Sequence, residues 1–195
     1  MIMDLTVKNI IKVLKEKDYA VFEEDSKKFN LNIVGIRTND QQSNRFNDGM
    51  VIFWRYLGRW NSIGFPITTD PGTYWRKNPM NVKGTAILKE GQHKGMWKVG
   101  KHKGYPALQQ NKPCTVIRDN NEDNILDFNG EEDFGHFGIN QHKAGHNSTQ
   151  VDKWSAGCQV WANADDFAAF MAIVEKSAET YGPQFTYTLI DEPQD

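Results

Sequence analysis

Apolar and polar positions change period twice along this chain. Thr6 can cap a helix in which Val7, Ile10, Ile11 and Leu14 share one face with lysines opposite, which predicts a short amphipathic helix over about 6–17. From Tyr19 the apolar runs are too short for helices: "YAVF", "LNIVGIR", "MVIFWRYL", "FPITT", "GTAIL", "MWKVG" and "CTVIR". They are separated by "RTNDQQSN", "TDPG", "KEGQHKG", "KHKGYP" and "RDNNEDN", and this spacing reads as strands and turns. Helical spacing returns after residue 162. Asn163 can cap a helix with Asp166 three residues on, Phe167, Phe170, Met171, Val174 and Ala178 form its apolar stripe, and Gly182-Pro183 ends it. "QFTYTLI" is then a last strand. The pattern predicts an α+β, mainly β fold with one helix at each end of the strand-rich region.

Composition narrows the function classes. With 38% hydrophobic and 25% charged residues over 195 positions the chain can bury a real core, and no repeat, biased tract or linker divides it, so a single domain over 1–195 is expected. A net charge of −2 supplies no basic field for nucleic acid. The longest apolar runs, such as "MVIFW", fall far short of the roughly 18 residues that cross a bilayer. The first residues lack a basic stretch followed by an apolar one and a small-residue cleavage site, so no secretory signal is expected and the compartment stays open.

Two cysteines, Cys114 and Cys158, make no disulfide framework and lack zinc-knuckle spacing. Cys114 opens an apolar run and reads as structural. Cys158 stands in "WSAGCQ", sixteen residues after His142. A thiol attacks a carbonyl as its thiolate, so a catalytic cysteine needs a base in space. All five histidines (His93, His102, His136, His142, His146) precede Cys158, which excludes peptidases with the histidine downstream, and "SAGCQ" does not match the caspase signature. His142 is the candidate base and Cys158 the nucleophile. The small Ala156 and Gly157 predict backbone amides over 156–158 free to hold an oxyanion. An imidazolium within reach predicts a thiolate well below the usual thiol pKa of about 8.5. His142 and His146 are four apart with Cys158 beyond, but "HKAGH" lacks the zinc-peptidase glutamate and carries Gly145, so no metal and no cofactor are expected. His93 and His102 fall in glycine-rich turns and read as solvated. Trp154 is placed at the substrate rim.

His142, the sixteen-residue step and Ser155-Ala156-Gly157-Cys158 resemble the catalytic segment of the L,D-transpeptidase (YkuD-type) family, where a histidine precedes a loop and Ser/Thr-His-Gly-Cys. "ITTDPGTY", residues 67–74, is similar to that family's upstream Thr-Pro-x-Gly segment. The first match covers about 134–162, and the second extends it to about residue 65. Two positions depart from the pattern. Ala156 replaces the motif histidine that orients substrate or thiol, and Val160 replaces an arginine that anchors the donor carboxylate. The resemblance implies an L,D-transpeptidase-like β-sandwich with a helix after the cysteine, and a base whose second ring nitrogen is held by the carbonyl of Lys143. It implies Ser155, Ala156 and Gly157 around the oxyanion, and His136 or His146 as auxiliary groups standing in for the missing histidine. The implied activity is acyl transfer on bacterial peptidoglycan stem peptides through a thioester, as L,D-transpeptidase or L,D-carboxypeptidase. The alternatives are a cell-wall hydrolase delivered by a phage or secretion system, and a wall-binding domain without catalysis.

Overall fold

A computed structural model describes residues 6–42 and 44–192; Met1–Leu5, on which part of the signal reading rests, lie outside the described residues. It is mainly β with few helices, 18% helical and 39% strand. In chain order the elements are α1 (Val7–Glu16), β1 (Asn32–Arg37), β2 (Asp48–Tyr56), β3 (Arg59–Thr68), α2 (Thr73–Lys77), β4 (Thr85–Leu88), β5 (Gly91–His102), β6 (Tyr105–Gln110), β7 (Cys114–Asp119), β8 (Glu132–Gly135), β9 (Gln141–Lys143), β10 (Gln159–Trp161), α3 (Ala164–Tyr181) and β11 (Gln184–Asp191). Eight strands close into a barrel in the order β1-β11-β5-β6-β9-β10-β3-β2, and β4-β7-β8 form a separate three-stranded sheet. Among the described residues no helix is long and apolar enough to cross a membrane.

Alternation along β1 explains why every residue of that strand is buried. Ile33 faces the core with Met50, Ile52, Trp97, Trp161 and Tyr187, whereas Val34 and Ile36 face outward. The outward pair is covered by Ile10 and Leu14 of α1, together with Val51, Phe53 and Ile190. Each such side chain contributes roughly 1.5–3 kcal/mol on burial, so α1 is welded to the barrel wall. Its start is capped as expected, with Thr6 accepting from the Asn9 N–H. At the other end of the chain, Asn163 Oδ1 accepts from the N–H groups of Asp165 and Asp166, and Phe167, Phe170, Met171 and Val174 enter the core beside Trp161. Gly182 ends α3 at φ +90°.

Two expectations differ. "YAVF" is not a strand: Gln92 Nε2 donates to Ala20 O, and Asn32 Nδ2 to Phe22 O. Gln92 Oε1 and Asn32 Oδ1 accept from the same residues' N–H groups, so side-chain amides take the place of a strand partner. "MWKVG", expected as a strand, lies in β5, but the strand also takes in Gly91–Gly95 and Lys101–His102, expected as parts of turns; Lys103-Gly104 is a turn as expected. The first part of β5 pairs with β11 and the last part with β6, and only Met96 and Trp97 are fully buried, so the polar ends of the strand carry no hydrophobic pattern.

Candidate active site

The turn ahead of β10 is built by Ser155. Its Oγ donates to the Cys158 carbonyl at 2.8 Å and accepts from the Gly157 N–H at 3.2 Å. Its own carbonyl accepts from Gly72 N–H at 2.9 Å. The two segments that carry the family resemblance are therefore hydrogen-bonded to each other. Behind Gly72, the loop 68–70 is held by a buried polar network: Arg37 pairs with Asp70 at 2.9 Å, and Asp48 accepts from the Thr69 N–H at 2.7 Å. Burial, together with the like charge of Asp48, raises the Asp70 carboxyl to about 7.

Gly157 is required twice over. It sits at φ +121°, and a Cβ there would come within 2.5 Å of the Ala86 carbonyl on β4. This corrects the expected role of the small residues. The space over Gly157 is filled by β4, and the Gly157 N–H is already used by Ser155. The N–H groups of Ala156 and Cys158 have no acceptor among the described residues and are the donors left for an oxyanion.

Next to this turn, β9 and β10 run parallel, with Val160 in register with His142. Side chains alternate along a strand, so Val160 shares the face that His142 occupies next door, and Cys158 is the residue that leads from the turn into β10. Gln159 and Trp161, on the opposite face, are fully buried. His142 is nearly buried, and its Nδ1 lies 2.9 Å from the Lys143 carbonyl. A carbonyl only accepts, so Nδ1 carries the proton and Nε2 of the neutral ring keeps its lone pair. The Lys143 carbonyl also accepts from Tyr105 Oη at 3.3 Å.

The half-buried thiol of Cys158 donates to the Gly138 carbonyl at 3.5 Å, and no hydrogen bond joins it to His142. Burial raises the Cys158 pKa, against the opposing pull of the Asn140 backbone N–H and the Lys103 charge. Burial is also the first cause that lowers His142 to about 4, reinforced by His102 and Lys103 against the hydrogen bond to Lys143. The resting pair is therefore thiol and neutral imidazole. The expected thiolate at neutral pH is not what this site favours, because desolvation disfavours the charged form of each group.

A cleft of about 250 Å³ opens beside Ala156, lined by Trp75, Ala86, Arg118, His136 and Phe137 among others. His136 thus shares a cleft with Ala156, whereas His146 is exposed beside the start of α3, its carbonyl accepting from Ala164 N–H. Arg118 was not singled out from the sequence, although a charged residue in the apolar run "CTVIR" was a signal. Its guanidinium pairs with Asp133 at 3.0 Å, donates to Gly84 O and lies 4.8 Å from the Phe137 ring centre. Trp154 is 43% exposed and lines a neighbouring cleft with Tyr74 and Lys153. Cys114 is a free, buried thiol contacted by Gln110, and burial pushes it up to about 12. His93 is in β5, half-buried, with Nε2 3.0 Å from the Lys89 carbonyl, and His102 stacks on His142, so neither is a solvated turn residue. Among the described residues no group of three or more His, Cys, Asp or Glu is placed to hold a metal ion.

No family model and no curated protein matches the chain.

Proposed function

We propose that this protein is a cysteine acyl-transfer enzyme of the L,D-transpeptidase type, acting on peptidoglycan stem peptides. The observation that carries the reading is the pairing of β9 with β10. It sets a histidine with a free Nε2 lone pair on the strand beside the one that the half-buried cysteine leads into. In the proposed reaction His142 Nε2 takes the proton from Cys158, and the sulfur attacks the stem-peptide carbonyl. The N–H groups of Ala156 and Cys158 hold the oxyanion, a contribution of about 3 kcal/mol per donor. Collapse expels the terminal amine, which takes its proton from His142, and leaves a thioester on Cys158. Water then completes an L,D-carboxypeptidase cycle, or an amine from a second stem completes a cross-link. Belonging to the family's β-sandwich is part of the same proposal, with the closed barrel and its flanking sheet as that arrangement. His136, in the cleft beside Ala156, is the group proposed to replace the missing motif histidine.

A second reading, a wall-binding domain without catalysis, is favoured by the thiol pointing at Gly138 rather than at His142. Intact mass after incubation with purified muropeptides separates the two. The enzyme gives an acyl adduct that Cys158→Ala abolishes, together with product lacking the terminal residue or carrying a new cross-link. Unmodified protein and unmodified muropeptides, with binding retained, overturn the enzymatic reading.

A further inference from the structure

The base has a partner that the reaction above does not use. At the tip of the β5–β6 hairpin, Lys103 and Gly104 adopt φ of +46° and +93°, the left-handed pair that a two-residue turn requires. This turn fixes His102 opposite Tyr105 in the ladder. From there the His102 ring lies flat on the ring of His142, with centroids 4.1 Å apart and planes within 2°. Its protonation state can be read from a chain of donors. The Gln110 N–H only donates, and Asn140 Oδ1 accepts it at 2.8 Å, so the Nδ2 end of Asn140 faces His102. That Nδ2 is 3.5 Å from His102 Nδ1, a long contact that suits an unprotonated Nδ1. The same Asn140 accepts through its carbonyl from Gln159 N–H at 3.0 Å, next to Cys158.

We propose that His102 is a positioning residue for the candidate base: its neutral ring covers His142, fixes the ring plane and keeps water from that face. The inference rests on the reading of His142 and Cys158 as base and nucleophile. In the transfer step the proton leaving sulfur makes a cation of His142, which then lies against the face of a neutral aromatic ring. A second proton, on His102, would set two charges face to face and remove the acceptor for Asn140 Nδ2. The charged and titratable groups around the pair act in the same sense or are neutral. Lys103, in the turn, opposes protonation of both rings; Tyr105 on β6 and Cys158 ahead of β10 are uncharged at neutral pH, and the Lys143 ammonium is 5.3 Å from the Tyr105 ring centre. Burial is the leading cause of the low His142 value, and a charge on His102 lowers it further; the stacked ring covers one face of His142.

The test needs no substrate. Imidazole resonances of histidine-labelled protein are titrated in the wild type, His102→Ala and His102→Phe. In the wild type His142 titrates at about 4. Removing the covering ring raises this by about one to two units toward the free value, whereas phenylalanine, flat and apolar, keeps the cover, removes only the charge that His102 can carry, and gives the smaller rise. His102 is at a hairpin tip and only half-buried, so both variants are expected to keep the barrel, which far-ultraviolet circular dichroism verifies. An unmoved His142 in His102→Ala overturns the inference, as does an equal rise in both variants. Failure here is distinct from failure of the proposed function. An acyl adduct that forms on Cys158 while His142 stays put in His102→Ala sinks only the role of His102. The expected shift in a protein that never acylates upholds the ring pairing and sinks the enzymatic reading.

Discussion

Tyr187 reaches across Gly35 to donate its hydroxyl proton to Gln159 at 2.7 Å, and a Cβ at residue 35 would come within 1.8 Å of that hydroxyl. Gln159 follows the candidate nucleophile directly, and its Nε2 donates to the Thr69 carbonyl at 3.2 Å. One buried amide thus ties Cys158 to β11 on one side and to the loop ahead of Gly72 on the other. Gly35→Ala is expected to displace the tyrosine and cost about 1–3 kcal/mol. Tyr187→Phe leaves Gln159 Oε1 buried without a donor, at about the same cost. Denaturant midpoints of both variants check this, and a midpoint unchanged in either contradicts the anchoring role.

Gly157→Ala tests the turn itself. The added methyl meets the Ala86 carbonyl, and φ +121° is strained for any residue with a Cβ, so the 155–158 turn has to move away from β4. A displacement of about 1 Å at a nucleophile costs on the order of 100-fold in rate. Turnover of muropeptides in Gly157→Ala is expected to fall by about that factor, with the barrel still folded by circular dichroism. Turnover within about threefold of wild type would mean that the turn is not what positions Cys158.

How much of this was legible beforehand depended on whether a residue's role lies in its own neighbourhood. The capped helices announce themselves through local spacing, and His142, Ser155, Gly157 and Cys158 are visible through their separation. The reason for Gly157 was not, because its obstacle is Ala86, seventy-one residues earlier. Only the middle of β5, "MWKVG", carries an apolar signal; its polar ends, Gly91–Gly95 and Lys101–His102, read as turns because their side chains leave no period-two pattern. His102 at one of those ends reads as a turn residue in the sequence, and the pairing of β6 with β9 at Leu108 and Gln141 brings its hairpin against His142.

Asp119 gives a pH dependence of stability that is separate from the site. It is 1% exposed, and burial raises it to about 6, with the like charge of Asp127 the next cause. The unfolded value is about 3.9. The folded state therefore holds the proton more tightly, and this favourable contribution, complete below about pH 4, is lost as pH rises to about 6. Asp119→Asn is expected to raise the thermal midpoint at pH 7.5 and to change it little at pH 4. Equal shifts at both pH values in a thermal scan series would contradict the sign.

The two thiols should part company under alkylation. Both are raised by burial, but Cys114 is 2% exposed and pushed up to about 12, whereas Cys158 is only half-buried. Iodoacetamide on the folded protein is expected to modify Cys158 alone, with a midpoint above the ordinary thiol value of about 8.5, and Cys114 only after unfolding. Turnover should follow a different pH course, because a neutral thiol with a neutral base is the reactive form. His142 accepts the proton as long as it is unprotonated, so the acid limb of kcat/KM is expected at about 4, the value its burial sets, and not at 6.5. Cys158→Ala should abolish turnover and Cys114→Ala keep most of it. Alkylation of Cys158 with a midpoint near 6, alongside an acid limb at the same pH, would show that a thiolate–imidazolium pair forms after all and that desolvation does not control this site.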